Sequence, residues 1–292
     1  MWKKYKTDDS PYGRHGPENP NHYADMDFRD PGGKTLDDHT PSAASLSTKA
    51  WADYYRSVGW NAVSQRGLLP FRVWQIYKAM TVFVAAGKVA SFVAAAGVLA
   101  HYVGDACQPL HTSYLDDGDP FRTPAGDAVT EPLGHGKGYG HGVHMGYEND
   151  MVDDFAGTLI KDLQKALPSP HTMPTVTGGQ EAGYAVIELA RRARAGIAPI
   201  DLVEAYASIL KTKAPKDRSA ALWAKFGAKT VDTMADGCRV LAMLWDSAWH
   251  EGNGPAIDHS HLKVIGKKEL QGIYEKQDFL PSKALGKIDP YL

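Results

Sequence analysis

From residue 69 onward, apolar side chains recur every three or four positions, the spacing that gives a helix one apolar face. The pattern predicts long helices over Leu69–Val84 and Gly87–Ala106, with Pro70 suited to the first turn of the former. A third begins polar at Tyr147, becomes amphipathic, and stops at Leu167 before the breaker-rich LPSPHTMP. Ala182–Ala195, Asp201–Lys211 and Ser219–His250 complete the set. No alternating strand pattern of useful length interrupts them, and there is no repeat or low-complexity tract. The first fifty residues carry Pro, Gly, Asp and Asn without periodicity, which predicts ordered loops. After Gly252 the chain reads as a short appendage with one small helix. The expectation is therefore an all-α chain with a single multi-helix domain over 1–250 and an extension over 251–292.

The run VFVAAGKVASFVAAAGVLA, residues 82–100, is long enough to suggest a membrane span. It is Ala-rich, however, carries Lys88, and leads directly into His101 and Asp105, so a buried helix explains the same pattern. A hydrophobic share of 43% supports a substantial core. A net charge of −2, with acids and bases interspersed, argues against a broad electrostatic footprint for duplex nucleic acid or an anionic membrane. With only Cys107 and Cys238 there is no disulfide framework, and two buried free thiols are expected. The start, MWKKYKTDD, is charged and has no apolar core, so it is not expected to act as a secretory signal as written. Motifs of nucleophile-elbow or phosphate-loop type are absent.

The chemistry concentrates where the apolar run ends, in HYVGDACQPLH at 101–111. Burying His101, Asp105 and His111 is costly unless each finds a partner. At about 100° per residue, His101 and Asp105 lie some 40° apart on one helix face, suited to holding one ion. Pro109 clashes with the carbonyl of Asp105 in a continuing helix, so the chain must bend there, and the bend can bring His111 towards Asp105. A second cluster lies in GHGKGYGHGVHMGYENDMVDDF, where His144 and Glu148 are again four apart. His135 and His141 precede them in a Gly-rich loop, but only His144 sits one turn from Glu148. A third signal is Asp8 or Asp9 followed by His22 in PNHYADMD.

These residues carry a resemblance. HYVGDACQPLH resembles the central motif of the zinc-dependent phospholipase C and single-strand-specific (S1/P1-type) nuclease superfamily. HMGYEND is similar to that superfamily's second helix motif, and NHYADMDFRDPGGKT to the stretch where its bacterial phospholipases keep a histidine and an Asp-Pro, Gly-Lys turn. The resemblance covers roughly residues 8–250 and implies an all-helical fold of that type. It implies one zinc on Asp8, His22, His101 and Asp105, and a second on His111, His144 and Glu148. Asp105 would be shared with a third zinc. In the superfamily that third ion is held by an N-terminal tryptophan and a histidine of the first helix, whereas this chain has Trp2 after Met1 and lacks the helix. His15 and His39 are the other imidazoles that could serve. The expectation is that a leader and first helix precede the start as written, with a secreted or periplasmic location implied by the superfamily.

Four imidazoles and three carboxylates suit zinc, two or three ions, better than magnesium. The three-residue set leaves an open position, the mark of a catalytic site, and zinc brings the pKa of water to about 7. The resulting expectation is phosphodiester hydrolysis centred on Asp105, His111 and Glu148, without a side-chain nucleophile. The substrate would be a phospholipid head group or, alternatively, single-stranded nucleic acid or a nucleotide 3′-phosphate, with Tyr23 lining its site. Glu148, the YEN after His144 and the DPGGK turn lean towards the phospholipase branch. The RRAR at 191–194 reads as a solvated helix face. No stable protein partner is implied. A zinc-binding helical module without activity is the alternative of another class.

Overall fold

The computed structural model describes residues 18–134, 136–167, 174–258 and 264–292. Asp8, Asp9, Trp2, His15 and His135 lie outside the described residues. The chain is mostly helical, and among the described residues there is no strand, only isolated bridges such as Asp119 with Tyr139. Among the described residues the α-helices run in order: α1 Leu36–His39, α2 Thr48–Ser57, α3 Leu69–Ala85, α4 Val89–Cys107, α5 Val152–Ala166, α6 Gly178–Gly196, α7 Pro199–Thr212, α8 Arg218–Glu251 and α9 Lys267–Tyr274. Helices α3 to α8 fall where the apolar periodicity places them, with Pro70 in the first turn of α3.

Two features depart from the sequence reading. The loop expected over the first fifty residues contains α1 and leads into α2, and both starts are capped. Thr35 and Asp38 form a reciprocal capping box, and the Ser47 side chain accepts from the Ala50 N–H. Cys107 is buried as expected, but Cys238 is exposed, because its position on α8 points off the apolar face.

The chain divides into two compact units. Of the described residues, unit 1 comprises 18–105, 174–188, 240–258 and 264–292, and unit 2 comprises 106–134, 136–167 and 189–239. In unit 1, Trp51, Tyr55 and Phe71 are fully buried. Trp51 meets Phe71 edge to face at 5.0 Å, and its indole N–H donates to Thr40 Oγ1 at 3.0 Å. The residues after 250 are integral to this unit, since Leu285 and Ile288 are fully buried and Phe279 stacks on Phe83. In unit 2 the core gathers Leu110, Val143, Tyr147, Met151, Leu202 and Phe226.

Among the described residues, Val89–Cys107 is long and apolar enough by composition to cross a membrane. Its last two turns carry His101 and Asp105, which are engaged with His22.

Because Leu285 is fully buried among residues distant in sequence, Leu285→Ala should destabilise the protein by about 2–5 kcal/mol. Urea unfolding followed by circular dichroism measures this; a cost below about 0.5 kcal/mol would show the C-terminal segment to be a true appendage.

Candidate metal centres

In unit 1 the first centre is built on a short turn and one helix. Asn19–His22 forms a 3-10 turn stitched to the segment before α3: Leu68 N–H donates to Pro20 O at 2.8 Å and Leu69 N–H to Tyr23 O at 3.2 Å. Gly67 permits this approach, since a Cβ there would sit 2.3 Å from the Tyr23 carbonyl oxygen. Asn21 donates to the Lys283 carbonyl at 3.3 Å, so the C-terminal segment also supports the turn. The turn presents His22 to α4, where His101 and Asp105 share a face. His22 Nδ1 lies 2.9 Å from Asp105 Oδ2, and His101 Nε2 lies 2.8 Å from His22 Nδ1 and 3.2 Å from Asp105 Oδ2.

In unit 2 the second centre is built on the bend after α4 and a π-helix. Gln108 caps the Pro109–Thr112 turn through its own side chain, which accepts from Leu110 N–H. That turn carries His111. The π-helix Met145–Met151 carries Glu148, with His144 immediately before it. Wide turns of this kind cost helix geometry and are often found at functional sites. Gly146 accommodates this one against Tyr206, where a Cβ would meet the ring at 2.4 Å. His111 Nε2 and His144 Nε2 each lie 2.9 Å from Glu148 Oε2, and the two rings meet edge to face at 4.8 Å.

In each centre two ring nitrogens and a carboxylate oxygen gather within 4.8 Å of one another. A tetrahedral ion with bonds of about 2.0–2.1 Å separates its ligand atoms by about 3.3 Å. The observed spacings of 2.8–3.2 Å come within half an ångström of that value, so these residues fit a small transition-metal ion.

Two residues that the sequence reading missed complete the picture. The outer nitrogen of His22 faces Glu18 Oε1 at 3.5 Å, and Glu18 is held by the Tyr102 hydroxyl at 2.5 Å and by Ser282. His144 Nδ1 lies 2.7 Å from Asp116 Oδ1. A carboxylate behind a ligand histidine fixes its tautomer and raises its basicity. Glu18 was legible in principle, four residues before His22; Asp116 was not, because its 28-residue separation from His144 closes only in the fold.

The electrostatics follow from these contacts. Burial works against a charged His22, but hydrogen bonds to Asp105 and Glu18 outweigh it and raise its pKa to about 9. His144 rises to about 10 against burial, through Asp116 and Glu148. Burial likewise opposes ionised Glu18, yet His22, the Arg72 charge and Tyr102 bring it down to about 2. Glu148 is held far below the usual carboxylate range by His111 and His144, despite its burial.

The remaining candidates are placed elsewhere. His141 pairs with Asp117 at 2.8 Å, and Asp117 also accepts from the Gly142 and His144 backbone N–H groups. His39 bonds to Asp30 at 2.8 Å, within the DPGGK turn. The Tyr23 hydroxyl donates to the Gln65 carbonyl at 2.7 Å. Of the RRAR arginines, Arg192 pairs with Asp236 and Arg194 donates to the Thr112 carbonyl.

No family model matches the chain, and no solved structure matches it. A protein of Bradyrhizobium tropiciagri named a probable serine protease is 35% identical over 302 aligned positions. The match takes in 95% of this chain but only 38% of the relative, so the chain spans well under half of that protein's length. The relative's name overturns the expectation of a phosphodiesterase of the phospholipase C or nuclease kind. The physical reason is that ligand spacing reports how a metal is gripped, and the same grip serves hydrolysis of several bond types.

Two outcomes follow from the centres. Asp116→Asn should lower metal affinity about 10–100-fold without removing a ligand, as read by competition with a chelating dye; unchanged affinity would strip Asp116 of its orienting role. In the metal-free protein, the raised pKa values of His22 and His144 mean that their contribution to stability is complete below about pH 6.5 and is lost as pH rises through about 9 and 10. Urea midpoints of wild type and His144→Gln in a chelator should therefore converge as pH rises from 6 to 10. A gap that widens instead would contradict the assignment.

Proposed function

We propose that this chain is a metal-dependent hydrolase region that holds zinc at His22, His101 and Asp105 and at His111, His144 and Glu148. The observation that carries the reading is the convergence of two imidazole nitrogens and one carboxylate oxygen, made twice, each with a further carboxylate behind one histidine. Nitrogen-rich sets of this kind suit zinc better than magnesium or calcium, which take oxygen. Three protein donors leave a fourth position for water or substrate. When bound, such an ion supplies Lewis acidity and lowers the pKa of water to about 7.

The protein's own residues do the positioning. Glu18 and Asp116 hold the outer nitrogens of His22 and His144, so that the inner nitrogens present lone pairs. Gln108 donates from its amide to Glu148 Oε2 at 3.2 Å and keeps that carboxylate turned towards both histidines. The α4 backbone sets His101 and Asp105 one turn apart on a rigid support. The likeness of HYVGDACQPLH to the phospholipase C and nuclease superfamily supports these ligand assignments and a helical fold of that type; its phosphodiester chemistry is not carried over.

The name of the Bradyrhizobium relative makes the peptide bond the first to test. A second reading is favoured by the chain's 38% share of that protein: a metal-binding region that accompanies a separate protease region.

Metal content by plasma mass spectrometry should be about two zinc ions per chain after reconstitution. Asp105→Ala and His144→Ala should each lose about one, while His141→Ala retains both; a chain that stays empty overturns both readings. Cleavage of a fluorescent casein should stop with chelator, return with zinc, and ignore a serine-directed fluorophosphonate. The opposite inhibitor pattern sinks the metal hydrolase, and full zinc loading without cleavage supports the second reading.

A further inference from the structure

Unit 2 contains a cavity of about 370 Å³ that none of the candidate metal ligands lines, although Gly146 of the π-helix does. Asp150 comes to it from the π-helix, Asp153 and Asp154 from the first turn of α5, Tyr206 from α7, and Arg218 and Ser219 from the first turn of α8. Its size falls at the lower end of small-ligand sites. Tyr206 and Ser219 are each 8% exposed, and among the described residues neither hydroxyl has a hydrogen-bond partner. Arg218 Nε is sealed from solvent and has no partner either. The aspartates are exposed, at the rim.

The charges here are held apart. Among the described residues, no ion pair links Arg218 to any of the three aspartates, although all line one cavity. The dipole at the start of α5 favours Asp153 and Asp154 where they are. It does not explain the sealed, unpartnered guanidinium nitrogen, because buried polar groups ordinarily find partners. Nor is this a cradle for a bare cation. Among the described residues only the two histidine centres bring three such donor atoms within 4.8 Å. Spaced carboxylates on one helix face, opposed by a guanidinium at a helix N-terminus, complement a ligand with cation and anion several ångströms apart.

We propose that this cavity binds a basic α-amino acid, either free or as the carboxyl-terminal residue of a peptide. The cationic side chain meets Asp150, Asp153 and Asp154, which stand at i, i+3 and i+4 on one face. The carboxylate meets the Arg218 guanidinium and Ser219 Oγ at the start of α8. Leu222 and the Tyr206 ring supply the apolar floor for the aliphatic stem. Three carboxylates against one guanidinium favour a ligand of net positive charge. The site uses no metal ligand, although it shares the π-helix and Tyr206 with the second centre, and its test reads ligand binding rather than hydrolysis.

The test is isothermal titration calorimetry of the full chain at low ionic strength with L-arginine, the tripeptide Ala-Ala-Arg, and agmatine, which lacks the carboxylate. Arginine or the tripeptide should bind, with agmatine about tenfold weaker. Arg218→Gln should abolish that discrimination, and the double variant Asp153→Asn, Asp154→Asn should weaken arginine about tenfold. Both variants should keep the wild-type far-ultraviolet circular dichroism and unfolding midpoint. Tighter binding of the tripeptide assigns the site to peptide ends, and tighter binding of arginine to the free amino acid. No binding of either at millimolar concentration, or binding that both folded variants leave unchanged, overturns the proposal.

Discussion

Everything around the two histidine centres answers one constraint: an ionisable donor withdrawn from water must be given a partner. His22 and His144 are largely buried, and their charge is tolerated because carboxylates face both ring nitrogens. The carboxylates in turn need support. Glu18 draws on Tyr102, Ser282 and the charge of Arg72, and Glu148 draws on Gln108 and His111. Each layer satisfies the one inside it, and the outermost is made of ordinary fold elements.

Those elements account for much of the irregular backbone. The turn carrying His22 is stitched to the segment before α3 and braced by the C-terminal segment, so residues some 260 positions apart jointly fix one imidazole. The π-helix carrying Glu148 departs from regular geometry at the centre itself, and a glycine against Tyr206 makes the departure possible. Idealised helices would be more stable there. The cost is consistent with a segment shaped for its side chains rather than for its backbone.

The same distinction separates the choice of ion from the bond to be cleaved. Donor type and convergence bear on the ion, because nitrogen and oxygen ligands at a few ångströms admit few metals. They say little about the bond to be cleaved, because activated water attacks many electrophiles. The relative from Bradyrhizobium, matched over a minority of its length, redirects the substrate question without touching the ligand geometry.

Helices α3 to α8 were legible from apolar periodicity because burial of one face decides them locally. Within α4 and at the start of the π-helix, the i, i+4 pairs His101–Asp105 and His144–Glu148 were legible for the same reason: helix geometry alone brings them together. Helix α2 escaped notice because its start depends on a single serine cap within a stretch rich in breakers. The partnership of His22 with α4, of His111 with Glu148, and of His144 with Asp116 spans 28 to 83 residues. No local pattern encodes such contacts, since they depend on which faces pack together. The sequence by itself determined the helices and the donors that helix geometry pairs. Only the tertiary structure decided which distant donors join them, because long-range packing sets those distances.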